Sequence, residues 1–93
     1  MKKYEIHSYT VKIISDFSHR NVGAIVSCAS EEKEIEMHFQ YDGLVSPPLV
    51  DKEGHLLVFL PCQALDTVLT LLRTSKQNIL VHEEGRAELL SNP

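Results

Sequence analysis

Three groupings in this chain have residue types that could do chemistry. Asp16, Ser18 and His19 carry the components of a hydrolase triad. Such a triad works only when its three side chains converge beside an oxyanion hole, with the serine on a rigid elbow. Residues this close in one turn do not converge that way, and no Gly-x-Ser-x-Gly is present. Turn and capping hydrogen bonds are the plainer reading.

Cys62 falls where a helix-period segment begins, and unpaired amides at a helix start can depress a thiol pKa. Its neighbours Phe59, Leu60 and Leu65 favour an inert packing thiol instead, and there is no Cys-x-x-Cys. The five histidines, His7, His19, His38, His55 and His82, are scattered. None forms the i, i+4 or short hairpin spacing that preorganises metal ligands, although His38 and His82 could meet across strands. Glu31-Glu32 and Glu83-Glu84 read as solvated turn charge, and the four glycines are isolated and cradle no phosphate. The sequence therefore assigns no catalytic residue, no metal and no cofactor.

The elements that would position any site are clearer. Leu56 to Leu60 is a solid apolar run that stops at Pro61, after which Ala64, Leu65, Val68, Leu69, Leu71 and Leu72 fill one arc of a helical wheel. A strand feeding an amphipathic helix is predicted. Ile35, Met37, Phe39 and Tyr41 alternate with Glu36, His38 and Gln40, the pattern of a half-buried antiparallel strand. Val22 to Ala29 is rich in small residues and suits an interior strand. Tyr4 and Ile6 lie on one parity but Tyr9, Val11 and Ile13 on the other, so the first strand must bend near His7 and Ser8. Ile79 to Glu83 and Arg86 to Leu90 read as a hairpin about Glu84-Gly85, with a short closing helix as the alternative for the last piece.

These segments predict a single α+β domain over residues 1–93: a mostly antiparallel sheet of five or six strands with one amphipathic helix, in the order β-β-β-β-α-β-β. Ninety-three residues bury about 60 to 65 per cent of their unfolded surface and support one thin core. With 43% hydrophobic and 24% charged residues the chain is of globular type.

A net charge of -4 argues against a nucleic-acid partner, which calls for a basic face. The charge is uneven: Glu31, Glu32, Glu34, Glu36 and Asp42 face only Lys33, which reads first as a solvated turn. No apolar run approaches the length of a membrane span, and no signal-peptide core follows Lys2 and Lys3. Two cysteines are too few for a disulfide framework. No membrane association and a cytoplasmic location are expected.

The segment Leu44-Val45-Ser46-Pro47-Pro48-Leu49-Val50 is apolar, yet its prolines keep it out of a sheet interior. It must be a loop or an edge, and by elimination Leu44, Val45, Pro47, Pro48, Leu49 and Val50 are the candidate partner-binding residues. A lone helix of about 14 residues covers roughly 21 Å by 10 Å, whereas five or six strands span about 24 to 29 Å. The uncovered apolar face has to be closed by curling of the sheet, by this loop, or by a second copy, and a homodimer is the favoured remedy. The leading functional expectation is a small non-enzymatic protein-interaction module of adaptor or inhibitor type, acting through the Pro-containing loop and a sheet edge. The alternatives are a small enzyme or ligand carrier with a pocket between helix and sheet using His7, His38 or Cys62, and a structural subunit of a larger assembly.

Overall fold

A computed structural model describes residues 1–15, 21–41 and 46–92. Six strands precede the helical segment: β1 (Lys2–Glu5), β2 (Ser8–Ile13), β3 (Val22–Ala29), β4 (Glu34–Gln40), β5 (Leu49–Val50) and β6 (Leu56–Pro61). A 3-10 turn, Cys62–Ala64, runs directly into α1 (Leu65–Thr74), and β7 (Gln77–Glu83) and β8 (Arg86–Asn92) follow. The α+β class and the strand and helix order are as the sequence predicts. Among the described residues no helix is long and apolar enough to cross a membrane.

The parity change in the first strand becomes a transfer between sheets. β1 pairs with β7, and two residues later β2 pairs with β3. Ile6 donates its N–H to the Asn78 carbonyl at 2.9 Å, and His7 donates to the Ala29 carbonyl at 2.8 Å, so the two backbone groups at the bend bond to different sheets. The strands accordingly divide into a five-stranded sheet, β2-β3-β4-β6-β5, and a three-stranded one, β1-β7-β8. One undivided sheet is the expectation that this corrects. Pairing is antiparallel except between β4 and β6, which run parallel.

Alternation sets the faces of the larger sheet. Ala24, Val26 and Cys28 of β3 and Ile35, Met37 and Phe39 of β4 turn inward and are buried almost completely. Glu36, His38 and Gln40 occupy the opposite face. Gly23 marks a register shift between Val22 and Ala24. A Cβ there would stand 2.7 Å from Tyr41 Cζ, so only glycine lets the ring lie against the strand. Burial pushes the Cys28 thiol up to about 12, which keeps it protonated and unreactive across the neutral range.

The helix lays Val68 and Leu72 on this inner face. The three-stranded sheet covers much of the remainder, placing Tyr4 and Leu80 in the same core with Ala87 and Leu89 packed against it. The area that the helix is too narrow to shield is thus closed from within the chain by its last hairpin. That hairpin turns at Glu84-Gly85, where Gly85 takes a φ of +80° that a side chain would strain. A second copy is not needed to close the centre of the core.

Asn78 is the buried polar residue of this arrangement, and its Oδ1 accepts a hydrogen bond from Ser91 Oγ at 2.5 Å. That bond ties β7 to β8 behind the bend that Asn78 also anchors through its carbonyl.

Candidate functional site

Two of the surface features that gather residues from separate elements adjoin β6. The first is a groove at the margin of the larger sheet. Among the described residues β5 pairs with β6 at Leu49↔Leu57 and Val50↔Leu56. Continuing that register would set Pro48 against Val58 and Pro47 against Phe59. Proline has no N–H to give to a ladder, so β5 stops there and, among the described residues, the margin of β6 beyond Leu57 has no further strand partner. Asp51 N–H bonds to the His55 carbonyl at 2.9 Å, which places residue 55 on the β5 side of the strand. The period of two then turns the backbone N–H and C=O of Leu57 and Phe59 the same way. Leu57 has Leu49 as its partner; Phe59 looks into the groove.

This groove has a volume of about 370 Å³. Pro47 and Pro48 wall one side, Gly85, Arg86 and Ala87 of the terminal hairpin the other, and Val58 to Leu60 form its floor. Its charged side chain, Arg86, is paired with Glu88. Of the candidate partner-binding residues, Pro47 and Pro48 line the groove. Leu49 and Val50 form the adjoining edge strand and are both exposed. Leu44 and Val45 lie outside the described residues.

The second feature is polar and was not assigned from the sequence. His55 Nδ1 lies 3.8 Å from Asp51 Oδ2, 3.8 Å from Glu53 Oε2 and 3.9 Å from Glu36 Oε2. Asp51, Glu53 and His55 belong to the turn between β5 and β6, while Glu36 reaches them from β4. The turn is folded by Asp51, whose Oδ1 accepts the N–H groups of Glu53 at 3.0 Å and His55 at 2.8 Å, leaving Oδ2 for the cluster. Gly54 supplies the left-handed residue at φ +84°. Glu36 is held from its other oxygen: His38 Nε2 lies 2.9 Å from Oε1, and because a carboxylate only accepts, that nitrogen carries the proton. The His38 ring is steadied in turn against Phe59, with centroids 5.7 Å apart. Among the described residues no lysine or arginine is paired with these three carboxylates.

The signal for the turn residues was Asp51-x-Glu53-x-His55, three ligand types at alternate positions about a glycine. A search for paired histidines passes over it. Glu36 could not have been added from the sequence, because only the parallel register of β4 on β6 brings it near Leu57 and the turn before that strand.

Other candidate residues are not gathered. Cys62 Sγ donates to the Phe39 carbonyl at 3.3 Å beside the core. His38 stands on the opposite face of β4, His7 marks the bend between sheets, and His82 sits on β7. Of the polar contacts expected for a ligand carrier, His7 lines a hollow of about 390 Å³ with Ser8, Tyr9, Leu72, Ser75 and Asn78 at the C-terminal end of the helix, and His38 and Cys62 are not among its lining residues. Glu31 and Glu32 are exposed in the turn before β4. Asp16, Ser18 and His19 lie outside the described residues. In comparisons with known proteins, no family model, no curated protein and no solved structure matches this chain.

Proposed function

We propose that this chain is a non-enzymatic protein-interaction module that accepts an extended peptide segment of a partner protein along the open margin of β6. The observation that supports the reading is the interruption of β5 by Pro47 and Pro48 beside a groove floored by Val58 to Leu60. A visiting strand supplies the backbone partners that the prolines withhold, and the apolar walls receive its alternate side chains. The unpaired thiols of Cys28 and Cys62 suit a reducing, cytoplasmic setting for such a module.

The test removes the interruption without touching the core. In a Pro47→Thr/Pro48→Thr double variant the segment regains two N–H groups and extends β5 over Phe59. Peptides recovered by panning a random library on the native protein are expected to bind the variant at least about tenfold more weakly, while its melting temperature does not fall. Isothermal titration of the same peptides against both proteins reads the outcome. Equal affinities, or no recoverable binders at all, would defeat the proposal.

A homodimer is part of the same reading, and the observation favouring it is at the opposite margin. β2 is an edge strand whose inward-parity side chains Val11 and Ile13 are 41% and 66% exposed. An antiparallel two-fold through Val11 sets Tyr9 of each copy beside Ile13 of the other and Lys12 opposite Thr10. No like charges meet, and the apolar strip becomes continuous. Sedimentation equilibrium should give a dimer for the native chain and a monomer for Val11→Lys, in which two ammonium groups meet on the axis. A native monomer at high concentration would dismiss the dimer and leave the groove reading standing.

A further inference from the structure

The bend between the two sheets and the C-terminal end of α1 flank a hollow of about 390 Å³, at the small end of the range for small-ligand sites. Asn78 of β7 is among its lining residues. We propose that this hollow binds a small organic carboxylate, whose head group accepts a hydrogen bond from the Asn78 amide and faces the Lys76 ammonium while its apolar body rests against Ile6 and Leu72.

The state of the Asn78 side chain points to a ligand. It shares the inward parity of Leu80 and is only 6% exposed. Ser91 Oγ stands 2.5 Å from its Oδ1, a separation that suits O–H···O and is too short for N–H···O, so the amide oxygen faces Ser91 and the nitrogen does not. That Nδ2 has no hydrogen-bond partner among the described residues. Every fully buried side-chain nitrogen and oxygen among them does have one, so Nδ2 is open to solvent, and the hollow that Asn78 lines is its opening. A donor set this deep is costly to leave unmet, and an acceptor oxygen entering the hollow would meet it.

Charge at the rim selects among acceptors. Lys76, two residues before Asn78, is exposed and forms no ion pair among the described residues. Its backbone is fixed there, since its N–H donates to the Asn92 carbonyl at 2.9 Å. Among the described residues no carboxylate lines the hollow. Glu5, next in the chain to Ile6, lies on the outward parity of β1, where its Oε2 accepts from Gln77 Nε2 at 3.0 Å. A helix C-terminus carries about half a negative charge, which opposes an anion. That is less than the full positive charge of Lys76, and one of the last carbonyls, that of Leu71, is already met by the Ser75 N–H. Ile6 and Leu72 make part of the lining apolar, which favours a carboxylate with a hydrocarbon body over an inorganic anion. The site is separate from the groove along β6 that the peptide reading uses.

Sodium benzoate titrated into the isotope-labelled chain is expected to shift, saturably and once per molecule, the side-chain amide signals of Asn78 together with the backbone signals of Ile6, Ser75 and Lys76. Benzamide, which keeps the shape without the charge, and inorganic phosphate, which keeps charge without the hydrocarbon, should each bind at least about tenfold more weakly. Lys76→Gln, at an exposed position, is expected to weaken benzoate binding at least about tenfold without lowering the melting temperature, the scale of one charge-assisted hydrogen bond. Asn78→Asp keeps the acceptor for Ser91 but turns the donor into a like charge, and should abolish binding. Lys76→Gln leaves the core untouched and decides the matter even if Asn78→Asp fails to fold. Lys52→Gln, in the turn between β5 and β6, should bind as the native chain does. Absence of a saturable shift at the Asn78 amide, equal affinity for benzamide and benzoate, or native affinity in Lys76→Gln overturns the proposal.

Discussion

Replacing Phe39 with alanine is expected to cost about 3 to 5 kcal/mol of stability, the range for deleting a fully buried ring whose site cannot collapse. Phe39 is 0% exposed and lies on the inner face of β4, between β3 and β6. Small domains hold only about 5 to 15 kcal/mol in all, so this one substitution should bring the chain close to the unfolding threshold. A control of the same chemistry lies one strand away. Phe59 of β6 is half-buried on the outer face, and Phe59→Ala should cost about 1 kcal/mol because it returns far less apolar area to water. Urea titrations read both values as shifts of the midpoint at constant slope. If the two phenylalanines cost the same, the faces of the sheet have been assigned wrongly.

That contrast also shows what was legible beforehand. The inward parity of Ile35, Met37 and Phe39 is written in β4 itself, because period-two alternation is a local property and one side of the strand is polar. The helical arc from Ala64 to Leu72 and the turn at Gly85 are local in the same sense. The bend at Ile6 and His7 could be read too, since a parity change has no other remedy in a continuous strand. Its consequence could not. Whether Tyr4 continues the sheet of Tyr9 or enters another depends on where β7 arrives some seventy residues later, and hydrophobic spacing holds no information on that distance.

The parallel pairing of β4 with β6 lay hidden for a related reason. Leu56 to Leu60 is apolar at every position, which suits a strand flanked on both faces but leaves its direction open. The polar cluster inherits that blindness, since Glu36 joins the turn residues only through this register. For the groove, the prolines were the signal. Pro47 and Pro48 excluded their segment from a sheet interior and identified it as an edge, but the gap they leave along β6 becomes visible only when Leu49 and Val50 are seen to pair where they do.

The second large effect concerns how the core is closed. Leu80 is 1% exposed and stands on β7, in the sheet that lies over the inner face of the larger one. Leu80→Ala is expected to cost about 2 to 5 kcal/mol, although its strand makes no backbone pairing with the five-stranded sheet. The size of the loss is only half of the test. If the terminal hairpin shields the core within each molecule, unfolding is unimolecular for that layer. The difference between Leu80→Ala and the native chain then stays constant as protein concentration is varied over two decades, even where association through β2 adds a concentration-dependent increment to both. If instead a neighbouring copy completed the core, the penalty would itself change with concentration, because the substitution would weaken the association that supplies the missing surface. Denaturant midpoints of both proteins at several concentrations distinguish the two, and a penalty that grows on dilution would return the shielding role to a second subunit.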